Sequence, residues 1–326
     1  MNILVTGGHG FIGSNFIKNV IDKPEVKCIV NIDCPTKLCA AADWKNVEEF
    51  KNHSKYSFYD IWLETILLRD KFKQILEKHQ INHIIHFAAE THVDNSISDP
   101  GRFIQSNIVG TFNLLEYVRK FPNIRFHHIS TDEVYGSLGA TGKFTETTPY
   151  APSSPYSASK ASSDMLVRAY YHTYKLPVTI SNCSNNYGPN QHNEKFIPVV
   201  INSVLNNKKI PVYGTGTNVR DWIYVDDHCE AIWTIVTQGK LGETYNAGGD
   251  CEKTNLQIIE EICRVMGKNP ADFISFVEDR KGHDFRYAID NSKITSELKW
   301  SPETSFSEGI KKTVEFYKNK CQNLKT

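Results

Sequence analysis

No hydrophobic run in this 326-residue sequence approaches the roughly 18–20 residues that span a bilayer. Net charge is absent too, because 37 Lys and Arg residues balance 37 Asp and Glu residues. Without a basic excess, the chain has no electrostatic footprint for nucleic acid or an anionic membrane. The first eight residues lack the basic region and cleavage site of a signal peptide. These absences predict a cytoplasmic protein that binds neither nucleic acids nor membranes.

Metal-binding and disulfide patterns are also missing. The 8 cysteines form no C-x-x-C pair and no other metal-ligand spacing. Cys28, Cys183 and Cys263 stand inside apolar patterns, so we interpret them as small core residues in a reducing compartment and expect no bound metal. What remains is an ordinary globular composition, 40% hydrophobic and 23% charged, at a length typical of about two domains.

Short apolar runs alternate with amphipathic stretches along the first half of the chain. The runs have the length of buried parallel strands and cover residues 2–6, 27–32, 55–59, 83–87, 125–130 and 177–182. Helical periodicity marks residues 103–120, 157–174 and 306–320. The alternation predicts an α/β fold with a doubly wound parallel sheet of Rossmann type. We expect residues 1–184 to form this sheet, and residues 185–326 to form a smaller substrate-binding lobe over its carboxyl edge.

A glycine-rich turn follows the first predicted strand. Gly7, Gly10 and Gly13 have the G-x-x-G-x-x-G spacing between a strand and a helical pattern, which brings backbone amides and a helix N-terminus to a pyrophosphate. Asp33 ends the next strand, 20 residues after Gly13, where a carboxylate can bind the ribose of NAD and repel the phosphate of NADP. An NAD site is therefore predicted; the alternative is a plain turn with a surface aspartate. Asp60, after the third strand, is a candidate adenine contact or an ordinary turn residue.

Two polar clusters are candidates for the chemistry. Tyr156 and Lys160 are four residues apart, so a helix places both on one face. A neighbouring ammonium and a positive nicotinamide ring both favour the phenolate of a tyrosine, whose ordinary pKa is about 10. The second cluster, at the end of a predicted strand, contains the adjacent carboxyls of Asp132 and Glu133, which are costly to bury unless used or paired. The alternatives are an exposed helical pair for the first cluster and a helix cap for Asp132.

Together these motifs resemble the extended short-chain dehydrogenase/reductase superfamily and, within it, the nucleoside-diphosphate-glucose 4,6-dehydratases. Further similar segments extend the resemblance over nearly the whole chain, at residues 86–94, 130–136, 144–163, 182–189, 220–228 and 282–290. The resemblance implies that Tyr156 takes the 4-hydroxyl proton while NAD accepts a hydride from C4. Glu133 then removes the C5 proton, Asp132 protonates the departing 6-hydroxyl, and hydride returns to C6. Thr131 would bind O4, and Lys160 the nicotinamide ribose.

The same resemblance implies two sets of binding residues and a homodimer formed through two sheet-flanking helices. Besides the glycines, aspartates, Tyr156 and Lys160, the cofactor set comprises Phe11, Ile12, Ile61, Phe87, Ala88, Ala89, Thr91, Ser106, Asn107, Ser130 and Asn186. The substrate set comprises Thr91, Thr131, Asn185, Lys195, Phe196, Pro211, Tyr213, Arg220, Asn255, Arg280, His283 and Tyr287. The cations of this set can neutralise a diphosphate, although a solvated surface charge is the ordinary alternative.

The nucleotide and the sugar stay open at this point. Residues 37–43 depart from the usual adenosine-side pattern, and Asn193 and Lys281 stand where the family often has proline. Both UDP-glucose and dTDP-glucose fit. UDP-N-acetylglucosamine 4,6-dehydration, with or without C5 epimerisation, is an alternative against which Glu133 argues mildly. A UDP-hexose 4-epimerase needs no carboxyl pair, a UDP-glucuronate decarboxylase typically lacks the preceding Asp, and a cofactor-sensing protein without catalysis would be expected to have lost these residues.

Overall fold

A parallel sheet of seven strands forms the centre of the structure, a computed structural model that describes residues 1–34, 43–68, 70–279 and 284–323. In chain order the strands are β1 (Asn2–Thr6), β2 (Cys28–Asp33), β3 (Tyr56–Asp60), β4 (His83–His86), β5 (Arg125–Thr131), β6 (Val178–Cys183), β7 (Asn185–Tyr187), β8 (Ile210–Tyr213), β9 (Val219–Tyr224), β10 (Thr244–Ala247), β11 (Glu252–Thr254) and β12 (Ile274–Val277). The large sheet has the order β10-β6-β5-β4-β1-β2-β3. All of its strands are parallel, and successive strands are added on one side of β1 up to β3 and on the other side from β4 onward. The point between β1 and β4, where this strand order switches, is where doubly wound folds bind ligands. The Rossmann-type prediction is confirmed.

Helices cover both faces of this sheet. They are α1 (Phe11–Val20), α2 (Asp70–Lys78), α3 (Val93–Ser98), α4 (Pro100–Phe103), α5 (Gly110–Lys120), α6 (Pro155–Tyr174), α7 (Phe196–Leu205), α8 (Val225–Gln238), α9 (Asn255–Met266), α10 (Ser292–Leu298) and α11 (Phe306–Asn323). None of the helices in the described part of the chain has the length and apolar character that crossing a bilayer requires.

Alternate side chains of the strands pack into two separate hydrophobic cores, one on each face of the sheet. Leu4 of β1 faces a core that includes residues of α5 and α6, such as Leu114 and Val167. Its neighbours Ile3 and Val5 face a core built with α1 and α8. Because both faces are buried, the strands are almost uninterrupted apolar runs, which is typical of parallel sheets.

The helix predicted over residues 103–120 is divided in the structure. Pro100 begins α4, a π-helical stretch follows at Ile104–Val109, and α5 begins at Gly110. The Asn107 carbonyl within this stretch accepts hydrogen bonds from the hydroxyls of Thr111 and Ser163, at 2.6 and 2.7 Å. These side-chain donors compete for a carbonyl of the backbone ladder, which is a recognised cause of local departures from α-helical geometry.

A second core lies beyond β6. It packs α7, α9 and α11 around two small sheets, ordered β11-β9-β7 and β12-β8. The chain does not stay in this lobe, because α8 packs against α1 and β10 pairs with β6 in the large sheet. The second lobe therefore stands beside the carboxyl edge of the large sheet and brings its own side chains to that edge.

Candidate active site

The turn between β1 and α1 forms an open cradle of backbone. Gly7 has φ +75°, and a Cβ there would lie 2.7 Å from the Ala88 backbone nitrogen. A Cβ on Gly13 would lie 2.4 Å from the Gly7 carbonyl oxygen, so close packing of helix on strand requires glycine at both positions. Gly10, by contrast, faces open space apart from one contact at 3.1 Å, and no side chain caps α1 behind it. The free amides of this N-terminus fit a pyrophosphate.

Asp33 stands beside this cradle at the end of β2. Its two carboxylate oxygens accept hydrogen bonds from the backbone amides of His9 and Cys34, each at 2.8 Å. Burial raises the pKa of Asp33 to about 6, although these amides act in the opposite direction. Asp33 is in register with Asp60 of β3, and the Ile61 amide donates to the Asp33 carbonyl oxygen. Asp33, Asp60 and Ile61 thus meet at the carboxyl edge, where the adenosine half of a dinucleotide binds in this fold.

The remaining candidate cofactor residues line the same edge, and several are engaged in hydrogen bonds within the protein. Phe11 and Ile12 begin α1, Phe87–Ala89 follow β4, and Ser106 lies in the π-helical stretch. The Asn107 amide nitrogen donates to Ser159 Oγ at 2.8 Å, Ser130 Oγ donates to Asp164 at 2.8 Å, and Asn186 pairs with His228 Nδ1 at 2.8 Å. These hydrogen bonds hold the three side chains in defined orientations.

A buried acid stands directly after β5. Thr131 ends the strand and caps a 3₁₀ turn, since its hydroxyl accepts from the Glu133 amide and donates to Asp132 Oδ1. Asp132 is 2% exposed, and its second oxygen has no hydrogen-bond partner among the described residues. Burial, reinforced by Glu133 and Asp221, raises the pKa of Asp132 well above its ordinary value. The cap is therefore Thr131 and not Asp132.

Tyr156 and Lys160 project from the first turns of α6 into the interior. A Ser154 capping box and Pro155 fix where this helix begins. Tyr156 is 7% and Lys160 4% exposed, so the pair is not the exposed helical pair of the alternative interpretation. Burial, then Glu133, raises the pKa of Tyr156 well above its ordinary value, whereas Thr131 lowers it. Lys160 Nζ donates to the Ile129 carbonyl at 2.7 Å, and burial lowers the pKa of Lys160 to about 8.

Arg220 and Tyr287 reach this cluster from the second lobe. The Arg220 guanidinium lies 4.4 Å from the centre of the Tyr287 ring and donates to the Asp284 carbonyl oxygen at 3.0 Å. Arg220 lowers the pKa of Asp132, whereas Glu133 raises that of Tyr287. These two effects indicate that Arg220 and Tyr287 lie near the carboxyl pair, although they are more than 80 residues away in sequence.

The other candidate substrate residues belong to several elements of the chain. Lys195, which precedes Phe196 at the start of α7, donates to the Thr91 carbonyl at 2.9 Å. Asn185 has a buried side-chain oxygen without a hydrogen-bond partner in the described part of the chain. The further positions are Pro211 and Tyr213, exposed on β8, and Asn255 at the start of α9. Arg280 and His283, together with Lys281 and residues 37–42, lie outside the described residues.

The sequence patterns did not point to Asp164, His128 or Asp221, all of which are fully or almost fully buried around the cluster. Asp164 follows Lys160 by four residues, so the spacing that paired Tyr156 with Lys160 also places Asp164 on that face of α6. Asp221 accepts from the Gly249 and Cys251 amides and raises the pKa of Asp132. No local spacing indicates that role. Within the described residues, no group of three or more His, Cys, Asp or Glu side chains is arranged for a metal ion.

Comparison with known proteins places the chain in a family. Residues 4–313 match the family model described as GDP-mannose 4,6 dehydratase. A dTDP-glucose 4,6-dehydratase from Neisseria gonorrhoeae is 47% identical, over 97% of this chain and 95% of the relative. The solved dTDP-glucose 4,6-dehydratase from Bacillus anthracis, in complex with NAD, superposes with a TM-score of 0.91 at 45% identity, over 99% of this chain and 98% of that one.

The fold alone does not separate dehydratases from epimerases. A UDP-glucose 4-epimerase from Thermotoga maritima superposes with a TM-score of 0.89, over 98% of this chain and all of that one, but at only 27% identity. Sequence identity over nearly the full length of both chains makes the distinction. The motifs around Asp132, Glu133, Tyr156 and Lys160 predicted the same relationship, and the protein belongs to the family of the nucleotide-sugar 4,6-dehydratases.

Proposed function

We propose that this protein is an NAD-dependent dTDP-glucose 4,6-dehydratase, a hydro-lyase that forms a dTDP-4-keto-6-deoxy sugar and water. One observation carries the proposal: the adjacent carboxyls of Asp132 and Glu133 follow β5 close to Tyr156. The Glu133 charge raises the pKa of both Asp132 and Tyr156. A 4-epimerase needs the tyrosine but no second acid–base pair. The names of the relatives at 46–48% identity support the dTDP nucleotide.

The cradle at Gly7–Gly13 and the Asp33 carboxylate fit NAD. When bound, NAD accepts a hydride from C4 of the sugar and returns it to C6. The glycines let backbone amides approach the pyrophosphate, and Asp33 accepts from the ribose hydroxyls. A carboxylate in this position disfavours the additional phosphate of NADP.

Tyr156 is the base for the first step in this proposal. It takes the proton of the 4-hydroxyl as the 4-ketone forms, while the Thr131 hydroxyl binds O4. Burial raises the pKa of Tyr156, so its phenolate needs nearby positive charge. The Lys160 ammonium supplies part of that charge and donates to the nicotinamide ribose.

Asp132 and Glu133 perform the elimination. The 4-ketone acidifies the C5 hydrogen, which Glu133 removes as general base, and C5 is reprotonated when the hydride returns to C6. Asp132 protonates the departing 6-hydroxyl, a role that suits it because burial raises its pKa and so favours its protonated form over that of an ordinary aspartate. Two adjacent carboxyls with different environments thus act as one acid and one base.

The second lobe binds the nucleotide sugar. Arg220, Lys195 and Arg280 neutralise the diphosphate, and Asn185 offers a buried acceptor to the sugar. We assign residues 1–184 to the cofactor-binding domain and residues 185–326 to the nucleotide-sugar lobe, with α8 and β10 returning to the large sheet.

A homodimer and a cytoplasmic location complete the proposal. The sheet-flanking helices α5 and α6 carry exposed apolar side chains, with Phe112 37%, Met165 52% and Tyr174 49% exposed. Pairing these two helices with their copies would cover this surface in a four-helix arrangement.

The test is product analysis with dTDP-glucose, UDP-glucose and UDP-N-acetylglucosamine offered in parallel to the purified protein. We expect a 4-keto-6-deoxy product, with the highest kcat/KM for dTDP-glucose. The single methyl that distinguishes thymine from uracil is worth about 1–3 kcal/mol, or about 10–200-fold in kcat/KM. A C4 epimer as the product would refute the dehydratase proposal, and a preference for UDP-glucose would refute the nucleotide assignment.

A further inference from the structure

A cluster of buried polar groups lies behind Lys160, outside the residues to which the proposed reaction gives a role. Lys160 Nζ donates to the Ile129 carbonyl at 2.7 Å and to His128 Nε2 at 3.5 Å. Asp164 Oδ1 lies 3.2 Å from the same His128 nitrogen, and neither of these two side chains is exposed. Because Asp164 is one helical turn after Lys160 on α6, both side chains reach one imidazole from the same helix face.

The hydrogen bonding of this cluster is incomplete. Asp164 Oδ2 accepts from the hydroxyls of Ser130 and Tyr150, each at 2.8 Å. Asp164 Oδ1 and His128 Nδ1, however, are buried polar atoms for which the described part of the chain provides no hydrogen-bond partner. A buried polar atom left in this way destabilises the folded state. Local hydrogen bonding therefore does not explain why a carboxylate stands here.

The charge of Lys160 does explain why a carboxylate stands at position 164. The strongest electrostatic effect on Lys160 comes from Asp164, which raises a pKa that burial lowers to about 8. Lys160 in turn holds down the pKa of Asp164, which burial raises to about 6. The neighbouring groups on β4, β5 and β6 supply no negative charge at neutral pH. Burial holds the pKa values of His86 and His128 well below their ordinary range and raises that of Cys183 to about 12.

We propose that Asp164 is a positioning residue for this enzyme, whose carboxylate, beside the same His128 nitrogen as Lys160, holds the Lys160 side chain charged and directed at the cofactor. The inference rests on the proposed function, which gives Lys160 its role. A neutral Lys160 no longer stabilises the Tyr156 phenolate, and a Lys160 drawn fully onto His128 no longer donates to the ribose. The Asp164 carboxylate opposes both changes without touching sugar or cofactor.

Asp164→Asn tests the charge at nearly constant shape, because an amide oxygen still accepts from Ser130 and Tyr150. The assay is the rate at which dTDP-glucose reduces bound NAD, measured from pH 6 to 9 in a Glu133→Gln background that stops after this step. We expect the basic limb of this rate to move down by about one pH unit or more, and the rate at pH 8 to fall about tenfold. The dTDP-glucose concentration that gives half the maximal rate of NAD reduction should change less than about twofold, because no substrate contact is altered.

Tyr150→Phe is the matched control. It removes one of the two hydrogen bonds to Asp164 Oδ2 but leaves the carboxylate charge in place. The basic limb of Tyr150→Phe, measured in the same Glu133→Gln background, should therefore stay where it is in Glu133→Gln alone. A folded Asp164→Asn protein whose basic limb is unchanged, or a Tyr150→Phe protein whose limb moves equally, would overturn the proposal.

A double-mutant cycle of melting temperatures tests the proposal even if Asp164→Asn alone does not fold. Lys160 has a larger effect on the pKa of Asp164 than Arg168, the other cation that lowers it. An Asp164 that balances the Lys160 charge should therefore contribute much less to stability once that charge is removed. Asp164→Asn should thus lower the melting temperature of the wild type and lower it far less in a Lys160→Met background. Equal losses in both backgrounds, or a double variant that also fails to fold, would overturn the proposal. These melts need no substrate, so they are independent of the product analysis that tests the function.

Discussion

Replacement of Glu133 by glutamine should separate oxidation of the sugar from elimination of water. An amide cannot remove the C5 proton, whereas oxidation at C4 needs only Tyr156, Lys160 and the cofactor. Substrate should still reduce bound NAD, after which the reaction stalls at the 4-keto sugar or runs back. NADH should accumulate on mixing, and product formation should fall by about 10²–10⁴-fold, the usual contribution of one general base.

The structure also predicts in which direction the pH dependence of Glu133→Gln should shift. After burial, Glu133 is the strongest influence that raises the pKa of Tyr156 and that of Asp132. Removal of its charge should lower the pKa of both groups. The acid limb of NADH formation should therefore lie at lower pH in Glu133→Gln than in the wild type. A limb that moves to higher pH would contradict the placement of Glu133 beside Tyr156.

Three measurements decide the outcome: NADH absorbance on rapid mixing, the amount of 4-keto-6-deoxy product, and deuterium incorporated at C5 from heavy water. Asp132→Asn is the matched control, in which exchange at C5 should persist while loss of the 6-hydroxyl slows. Glu133→Gln should show little exchange. A Glu133→Gln protein that makes product at nearly the wild-type rate would refute the reasoning, as would a wild type that returns only a C4 epimer.

Three further predictions concern the binding sites. NAD affinity of the apoprotein, measured by calorimetry, should weaken about tenfold per pH unit below pH 6, where the raised pKa of Asp33 leaves its carboxyl protonated. Asp33→Asn should weaken binding and abolish this slope, and tight binding by that variant would disprove the ribose contact. Gly10→Ala should fold but bind NAD weakly. Gly13→Ala should also lose thermal stability, because its Cβ would lie 2.4 Å from the Gly7 carbonyl oxygen. Equal melting temperatures of the two variants would contradict this difference in packing. Arg220→Lys should raise KM by about 10–100-fold with NAD content unchanged, since a charge-assisted hydrogen bond is worth about 1.5–3 kcal/mol; an unchanged KM would place the diphosphate elsewhere.

The large sheet was predictable because its strands are buried on both faces. Six predicted strands coincide with β1–β6 to within a residue at each end. The exception is β10, whose four residues Thr244–Ala247 include two polar side chains and give no apolar run. Pairing with β6 and complete burial hold this segment extended, so its strand conformation comes from tertiary context.

Candidate catalytic residues were accessible to sequence reasoning because local spacing brings them together: one helical turn joins Tyr156 to Lys160, and a strand end presents Asp132 and Glu133. Their protonation states were not accessible. Burial is the largest influence on the pKa values of Asp132, Tyr156 and Lys160, and it depends on how the second lobe and neighbouring strands close around β5 and α6. The same dependence conceals Asp164, since an aspartate on an amphipathic helix normally faces solvent. A pattern can therefore name the groups that exchange protons, whereas the folded chain decides which of them carries a proton at neutral pH.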